Sequence, residues 1–312
     1  MSSNVNIAFR TPPGVPAWQR WLLYSPPARI VIFAAIAFGV GYVLHGTFAS
    51  LGWLAKTATP LQHALAGLTI ELFFSVIAYL VLVCMVERRS PRELSLRTLP
   101  TYGVAWFVAG LLLFSTVVGV LWLCGSYHVL GTNPQVNWLP AVLVAGVGAG
   151  IGEEIITRGV LFRIVEEGLG TWWALLISAV FFGGAHIFNP SATLWSSAAI
   201  AIEAGILLAL VFHVTRTLWA CIGLHAAWNI AQGTIYGIPV SGTGGSGLLV
   251  SSRTGPDWLS GGAFGAEASV VALAVCTSVS VVLLLIALRR GSIVRPSWSR
   301  RVSATYEATP TA

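Results

Sequence analysis

Eight stretches of this 312-residue chain are long and apolar enough to cross a bilayer: 30–54, 61–86, 104–124, 139–164, 172–188, 194–214, 218–238 and 270–288. A spanning helix takes about 20 apolar residues. Hydrocarbon offers no water to backbone N–H and C=O groups, so runs of this length survive there only as helices that bond internally. Composition agrees, with 56% of residues hydrophobic and 9% charged, against about 25% charged in an ordinary soluble domain. The expected fold is all-α: a polytopic integral membrane bundle of about eight transmembrane helices.

The net charge of +6 comes almost wholly from arginine, with Lys56 the only lysine. Arg10, Arg20 and Arg29 precede the first run, and Arg88, Arg89, Arg92 and Arg97 follow the second. Arg158 and Arg163 close the fourth, Arg216 follows the sixth, and Arg289, Arg290, Arg295, Arg300 and Arg301 follow the eighth. The alternate connections carry only Lys56 and Arg253. This bias is membrane orientation and not a nucleic-acid surface. It predicts a multi-pass protein of the cell membrane with both termini cytoplasmic. The polar stretch before Ile30 lacks the apolar core of a cleavable signal, so the first span reads as an uncleaved anchor.

The chain then divides into a cytoplasmic tail (1–29), N-terminal spans (30–137), a core (138–238), a Gly/Ser-rich outer loop (239–266), a last span (267–290) and a second cytoplasmic tail (291–312). Within 90–99, Ser90, Pro91 and Glu93 have capping-box spacing, predicting a short amphipathic helix on the cytoplasmic face; a simple basic stop-transfer loop is the other reading. The loop around 237–265 reads as irregular, mobile and exposed. The stretches before Arg20 and after Arg295 read as disordered. Cys84, Cys124, Cys221 and Cys276 lack C-x-x-C spacing and read as inert packing residues.

An ionisable side chain at mid-bilayer costs roughly 2.5–3.5 kcal/mol on insertion scales, so it pairs, faces water or reacts. In the fourth run Glu153 and Glu154 stand side by side, with Arg158 four residues after Glu154. Neighbours on a helix point about 100° apart, whereas i and i+4 share a face. That predicts an ion pair for Glu154 and a free Glu153, placed to act as a general base. A knot of both carboxylates with Arg158 and Arg163, serving packing alone, is the other reading.

The fifth run ends with Phe182 one turn before His186, and the seventh sets His225 one turn before Asn229. Intramembrane His and Asn often join helices by hydrogen bonds. With a carboxylate beside them they are also the parts of a hydrolytic site: a base, a second water partner and oxyanion donors. Glu203, in the sixth run, either lines the same cavity and touches substrate or Arg158, or makes a packing hydrogen bond. Glu71 stands outside these patterns. Trp138, Trp172, Trp173 and Trp219 read as interfacial anchors.

Three spacings in order on separate runs, E-E-x-x-x-R at Glu153, Glu154 and Arg158, F-x-x-x-H at Phe182 and His186, and H-x-x-x-N at His225 and Asn229, carry a resemblance. They resemble the type II CAAX prenyl proteases and their bacterial relatives, the CAAX protease and bacteriocin-processing (CPBP, or Abi) family. Of six histidines, only His186 follows a Phe by four residues and only His225 precedes an Asn by four. The likeness spans roughly a third of the chain, and the Arg-rich segment around Glu93 and Leu94 also looks like the family's.

The resemblance implies an intramembrane endopeptidase acting on a membrane-associated, prenyl-like or bacteriocin-like peptide or protein, with the bilayer as its other partner and no nucleic acid. It assigns water activation to Glu153 and His186, the oxyanion hole to His225 and Asn229, and support to Glu154, Arg158 and Phe182. For the cofactor it leaves two readings: none, or a divalent metal such as zinc on Glu153, His186 and His225. Asn229, a poor zinc ligand but a good oxyanion donor, favours the first. H-E-x-x-H and G-x-S-x-G do not occur, and the sole aspartate, Asp257, lies in the outer loop, away from any two-aspartate chemistry.

Two other classes stay open: a catalytically silent immunity or scaffold protein, and a proton-coupled transporter using Glu153, Glu154 and Glu203. Spacing also poses a difficulty. His186 lies about 21 Å along its run and His225 about 10 Å along its own, at 1.5 Å per residue, so a shared site requires the helices to start at different depths or to tilt.

Overall fold

The computed structural model describes residues 9–300. The eight apolar runs are eight helices: α1 (Pro26–Ser50), α2 (Pro60–Val86), α3 (Leu96–Leu123), α4 (Trp138–Leu169), α5 (Thr171–Phe188), α6 (Leu194–Thr215), α7 (Leu218–Asn229, continuing through Ile230–Ile235) and α8 (Val270–Arg289). Among the described residues, seven of these, all but α7, are long and apolar enough to cross a membrane. His225, Asn229 and Gln232 dilute the hydropathy of α7, which is buried along nearly its whole length. Its polar groups therefore face protein, as intramembrane polar side chains must.

Several helix starts are written into adjacent residues. Ser25 accepts from the Ala28 N–H with prolines opening α1, and Thr59 with Gln62 forms a reciprocal capping box before α2. Thr193 with Ser196 does the same for α6, and Ser269 caps α8. Each cap satisfies backbone donors that a helix start leaves without partners.

Close approach to α7 depends on glycine. A Cβ at Gly223 would fall 2.3 Å from the Gly103 carbonyl oxygen of α3, and one at Gly150 of α4 would fall 3.1 Å from the Ala226 Cβ. Small residues of this kind let membrane helices pack backbone to backbone.

A network of ion pairs closes one end of the bundle. Glu87 accepts from Arg29 at 2.7 Å, Arg89 at 2.7 Å and Arg163 at 3.0 Å; Arg29 also reaches Glu167 at 2.5 Å, and Arg89 reaches Glu93 at 2.7 Å. Beside it, Glu166 binds His213 at 2.7 Å and Arg216, and His213 reaches Ser292 at 3.0 Å. The start of α1 and the ends of α2, α4, α6 and α8 therefore share one end, the alternation that the arginine distribution predicts. Burial alone would raise the Glu87 carboxyl, but the guanidinium groups of Arg163, Arg89 and Arg29 outweigh it and hold it below the usual carboxylate value. Glu93 is held low in the same way, chiefly by Arg89.

Three expectations change. Segment 90–99 is a pair of three-residue 3₁₀ turns, Arg92–Leu94 and Leu96–Thr98, without side-chain caps; Glu93 is claimed by Arg89 and so does not turn back to close a box. The 237–265 loop contains a strand, β2 (Leu249–Arg253), paired antiparallel with β1 (Tyr127–Thr132), so it is tied to the α3–α4 connection and is not irregular throughout. The inner parts of both tails are docked: Phe9 N–H donates to Glu167 at 2.9 Å, and Arg300 donates to the Glu167 carbonyl at 2.7 Å. Residues 1–8 and 301–312, read as disordered, lie outside the described residues. Trp138, Trp172 and Trp173 are exposed as anchors would be, while Trp219 is spent on the Ser95 carbonyl at 3.1 Å.

Candidate active site

The face that α4 turns to α7 is a row at i+4 intervals: Gly146, Gly150, Glu154, Arg158. Two glycines bring the helices together, and the next residue in the row is a carboxylate in contact with α7. Glu154 Oε1 lies 2.8 Å from His225 Nδ1 and 2.8 Å from Arg158 Nη1, with Glu154 and Arg158 both fully buried. The predicted Glu154–Arg158 pair is present, and Glu154 also holds a histidine 71 residues away. Arg158 Nη2 continues to the carbonyls of Ala204 and Gly205 at 3.1 and 3.2 Å. These carbonyls belong to a π-wound stretch of α6, Ala201–Ile206, a local geometry that recurs at functional sites. Arg163 takes no part, since it belongs to the ion-pair network at the bundle end.

Phe182 joins the histidines. The Arg158 guanidinium carbon stands 4.6 Å from its ring centre, and the rings of His186 and His225 lie 4.7 and 6.1 Å from it. Both histidines thus meet at one aromatic side chain, despite their unequal distances along α5 and α7. At 1.5 Å per residue those distances differ by about 11 Å, which the relative depth or tilt of the helices absorbs.

Hydrogen bonding defines the imidazoles. His186 Nδ1 lies 2.7 Å from the Phe182 carbonyl oxygen. A carbonyl only accepts, so Nδ1 carries the proton and the neutral ring keeps its lone pair on Nε2. His225 donates Nδ1–H to the Glu154 carboxylate, leaving its Nε2 as the second functional atom. Asn229 spends one amide hydrogen on the Ala145 carbonyl at 2.8 Å, leaving another to donate.

His186, His225, Asn229 and Phe182 line one partly open cavity between α5, α6, α7 and α8. Glu153 does not line it. Gly148 and Gly152 on the neighbouring face of α4 seat Glu71 of α2, whose Oε2 and Cγ lie 2.9 Å from where Cβ atoms at those positions would be. Glu153 falls between that face and the face toward α7, close enough to interact electrostatically with both Glu71 and His225. Its Oε2 is buried without a hydrogen-bond partner among the described residues.

Zinc does not fit this donor set. Among the described residues no three His, Cys, Asp or Glu side chains are grouped to hold a metal ion, and Asn229, beside the two histidines in the cavity wall, is a poor zinc ligand.

Two further carboxyls line the cavity. Glu203 lines the cavity, while Arg158 pairs with Glu154 and donates to the carbonyls of the two residues after Glu203. Glu267 was not anticipated. It sits on a 3₁₀ turn, Ala266–Ala268, just before α8, and burial pushes its carboxyl above the usual carboxylate range. The legible signal was a lone carboxyl three residues ahead of a long apolar run.

Residues 135–231, about a third of the chain, match the family model for Rce1-like type II CAAX prenyl endopeptidases. This segment is similar to an Rce1-like domain. It contains every motif residue from Glu153 to Asn229, and a comparison with curated proteins found no match. Its apolar helices make the chain an integral membrane protein, and the matched segment is similar to CAAX-type proteases. Glu267 and α8 lie beyond the Rce1-like domain, yet Glu267 completes the wall of its cavity.

Proposed function

We propose that this protein is a metal-independent intramembrane endopeptidase. Glu153 takes a proton from water, His186 Nε2 accepts water's second hydrogen bond, and the water oxygen bonds to the scissile carbonyl carbon. The carbonyl becomes an oxyanion that accepts from Asn229 and His225. As the C–N bond breaks, the proton held by Glu153 passes to the leaving amine. The observation that carries this reading is the meeting of His186, His225 and Asn229, from two helices, around one cavity within the Rce1-like domain.

His225 can donate from Nε2 only when both ring nitrogens are protonated, because Nδ1–H is already committed to Glu154. The Glu154 carboxylate, buried against the ring, favours that imidazolium. Glu153 suits the base because its buried oxygen is unpaired, so no ion pair has to break before it accepts a proton. Glu154 lies nine residues before Arg163, about 13 Å inward from the charged end at 1.5 Å per residue. That depth is close to the middle of a hydrocarbon layer about 30 Å thick. The substrate is accordingly a peptide bond delivered within the membrane, with the Arg-rich end of the bundle and both termini on the cytoplasmic side.

The test is cleavage of membrane-associated peptides by purified, reconstituted protein. Glu153→Gln is expected to lower kcat by roughly 10²–10⁴-fold, the usual contribution of a general base, with melting unchanged. Extended chelation with o-phenanthroline is expected to leave the rate intact. Full activity in Glu153→Gln removes Glu153 as the base, and a rate lost on chelation and restored by zinc overturns the metal-free reading.

A further inference from the structure

The mechanism does not use Glu203 and Glu267, although both occupy the cavity that holds its histidines. They come from separate elements, α6 and the turn before α8, and are 2% and 3% exposed. Glu203 Oε2 and Glu267 Oε1 are each buried without a hydrogen-bond partner among the described residues, and neither carboxyl makes an ion pair there. Two carboxyls close enough to raise each other's energy when ionised gain nothing for packing that a pair of leucines would not supply. Burying such groups is costly unless something pairs with them.

Nearby positive charge is committed elsewhere. His186 faces Glu267 but gives its Nδ1 proton to Phe182. Arg253 feels the charge of Glu267 from outside the cavity and donates to the Ser260 carbonyl at 2.9 Å. The rest of the wall is largely aliphatic, including Ile200, Leu207, Leu208 and Leu224. Ser241 and Gln232 hydrogen-bond to the Glu267 carboxyl, but one oxygen of each carboxyl stays without a partner, and an apolar sleeve ending in such oxygens is complementary to a long alkyl stem that carries a cationic head. Lysine and arginine have that form, with apolar stems that pack against hydrocarbon.

We infer that this cavity is a specificity subsite for a cationic group of the peptide, a lysine or arginine side chain beside the scissile bond, with Glu203 and Glu267 receiving the charge. The inference rests on the protease reading, since the same cavity presents His186, His225 and Asn229 to the bond being cut. Entry of the cation supplies both orphan oxygens with donors. A neutral residue of the same length leaves them empty, and an acidic residue adds a third negative charge.

The experiment uses full-length protein in proteoliposomes and peptides differing only in lysine, arginine, norleucine or glutamate at each position flanking the cleaved bond, with free or acetylated N-termini. In parallel, melting is followed with n-butylammonium chloride, and with n-pentanol as the neutral control, in wild type, Glu203→Gln, Glu267→Gln and the double variant. Lysine or arginine peptides are expected to exceed norleucine peptides by about 30-fold in kcat/KM, the lower range for a buried charge pair that loses one partner. That ratio should approach one in the double variant. n-Butylammonium, but not n-pentanol, should raise the wild-type melting temperature, and the double variant should lose the response.

Peptides cut without basic preference, or with a preference that the double variant keeps, overturn the subsite and leave the protease intact. A carboxylate-dependent melting response with no cleavage of any peptide upholds the cation site and overturns the protease. A preference that disappears when the N-terminus is acetylated upholds the site and identifies its ligand as the terminal amine.

Discussion

Replacing Glu154 with glutamine is expected to unsettle the whole bundle, and a second substitution should repair the fold without repairing the chemistry. Glu154 and Arg158 are fully buried and 2.8 Å apart. Glu154→Gln strands a guanidinium charge in the interior, and breaking a buried pair from one side costs about 3–5 kcal/mol. At about 2–4 °C per kcal/mol for a chain of a few hundred residues, melting should fall by on the order of 10 °C. Adding Arg158→Met removes the stranded charge. Replacing a buried pair with apolar side chains is often neutral or better, although the contacts to Phe182 and the Ala204 and Gly205 carbonyls are lost with it. The double variant should therefore melt within about 2 kcal/mol of the parent. Activity should stay lost, because His225 no longer has a carboxylate to hold its imidazolium. Melting in detergent followed by tryptophan fluorescence, beside peptide cleavage, measures both. A Glu154→Gln protein melting within 2 °C of the parent, or a double variant melting no higher than the single one, refutes the reasoning.

Acid should loosen the charged end of the bundle before the site. Glu87 and Glu93 have carboxyls held below their unfolded values, so their contribution is fully present above about pH 4.5 and is lost as pH falls through the depressed folded values. Unfolding against pH should steepen below about 4.5, and Glu87→Gln should flatten that slope while costing stability at neutral pH. Gly223→Ala is expected to give little folded protein, since its Cβ would sit 2.3 Å from the Gly103 carbonyl oxygen; size-exclusion recovery equal to the parent's would argue against backbone contact between α3 and α7.

The helices were legible because a bilayer demands long apolar runs, and the eight expected runs end within a few residues of the observed helices. The Glu154–Arg158 pair was legible because i+4 spacing is a local property. Its third member was not: His225 is 71 residues away, and only packing of the Gly146 and Gly150 face against α7 brings the ring to the carboxylate. Glu153 could be called free from helix geometry, but its place beside Glu71 depends on how α2 crosses α4. Glu267 was hidden by its setting, because a carboxyl after a Gly-rich loop gives no hint that a strand pair anchors that loop. At 90–99 the capping-box pattern failed because half-buried Arg89 offers Glu93 two hydrogen bonds, of 2.7 and 2.9 Å, a stronger claim than one backbone N–H.

The network around Arg29 also sets a timetable for synthesis. Arg29 is at the start of α1, but Glu87 comes 58 residues later and Glu167 comes 138 residues later. At about 5–20 residues per second, the ribosome reaches the second partner roughly 7–28 s after the arginine. Until Glu87 follows, α1 carries an unmatched cation, and it can lock against both α2 and α4 only once the end of α4 has been made. The charged latch is thus a checkpoint in assembly, reporting that the helix bearing Glu153 and Glu154 has arrived.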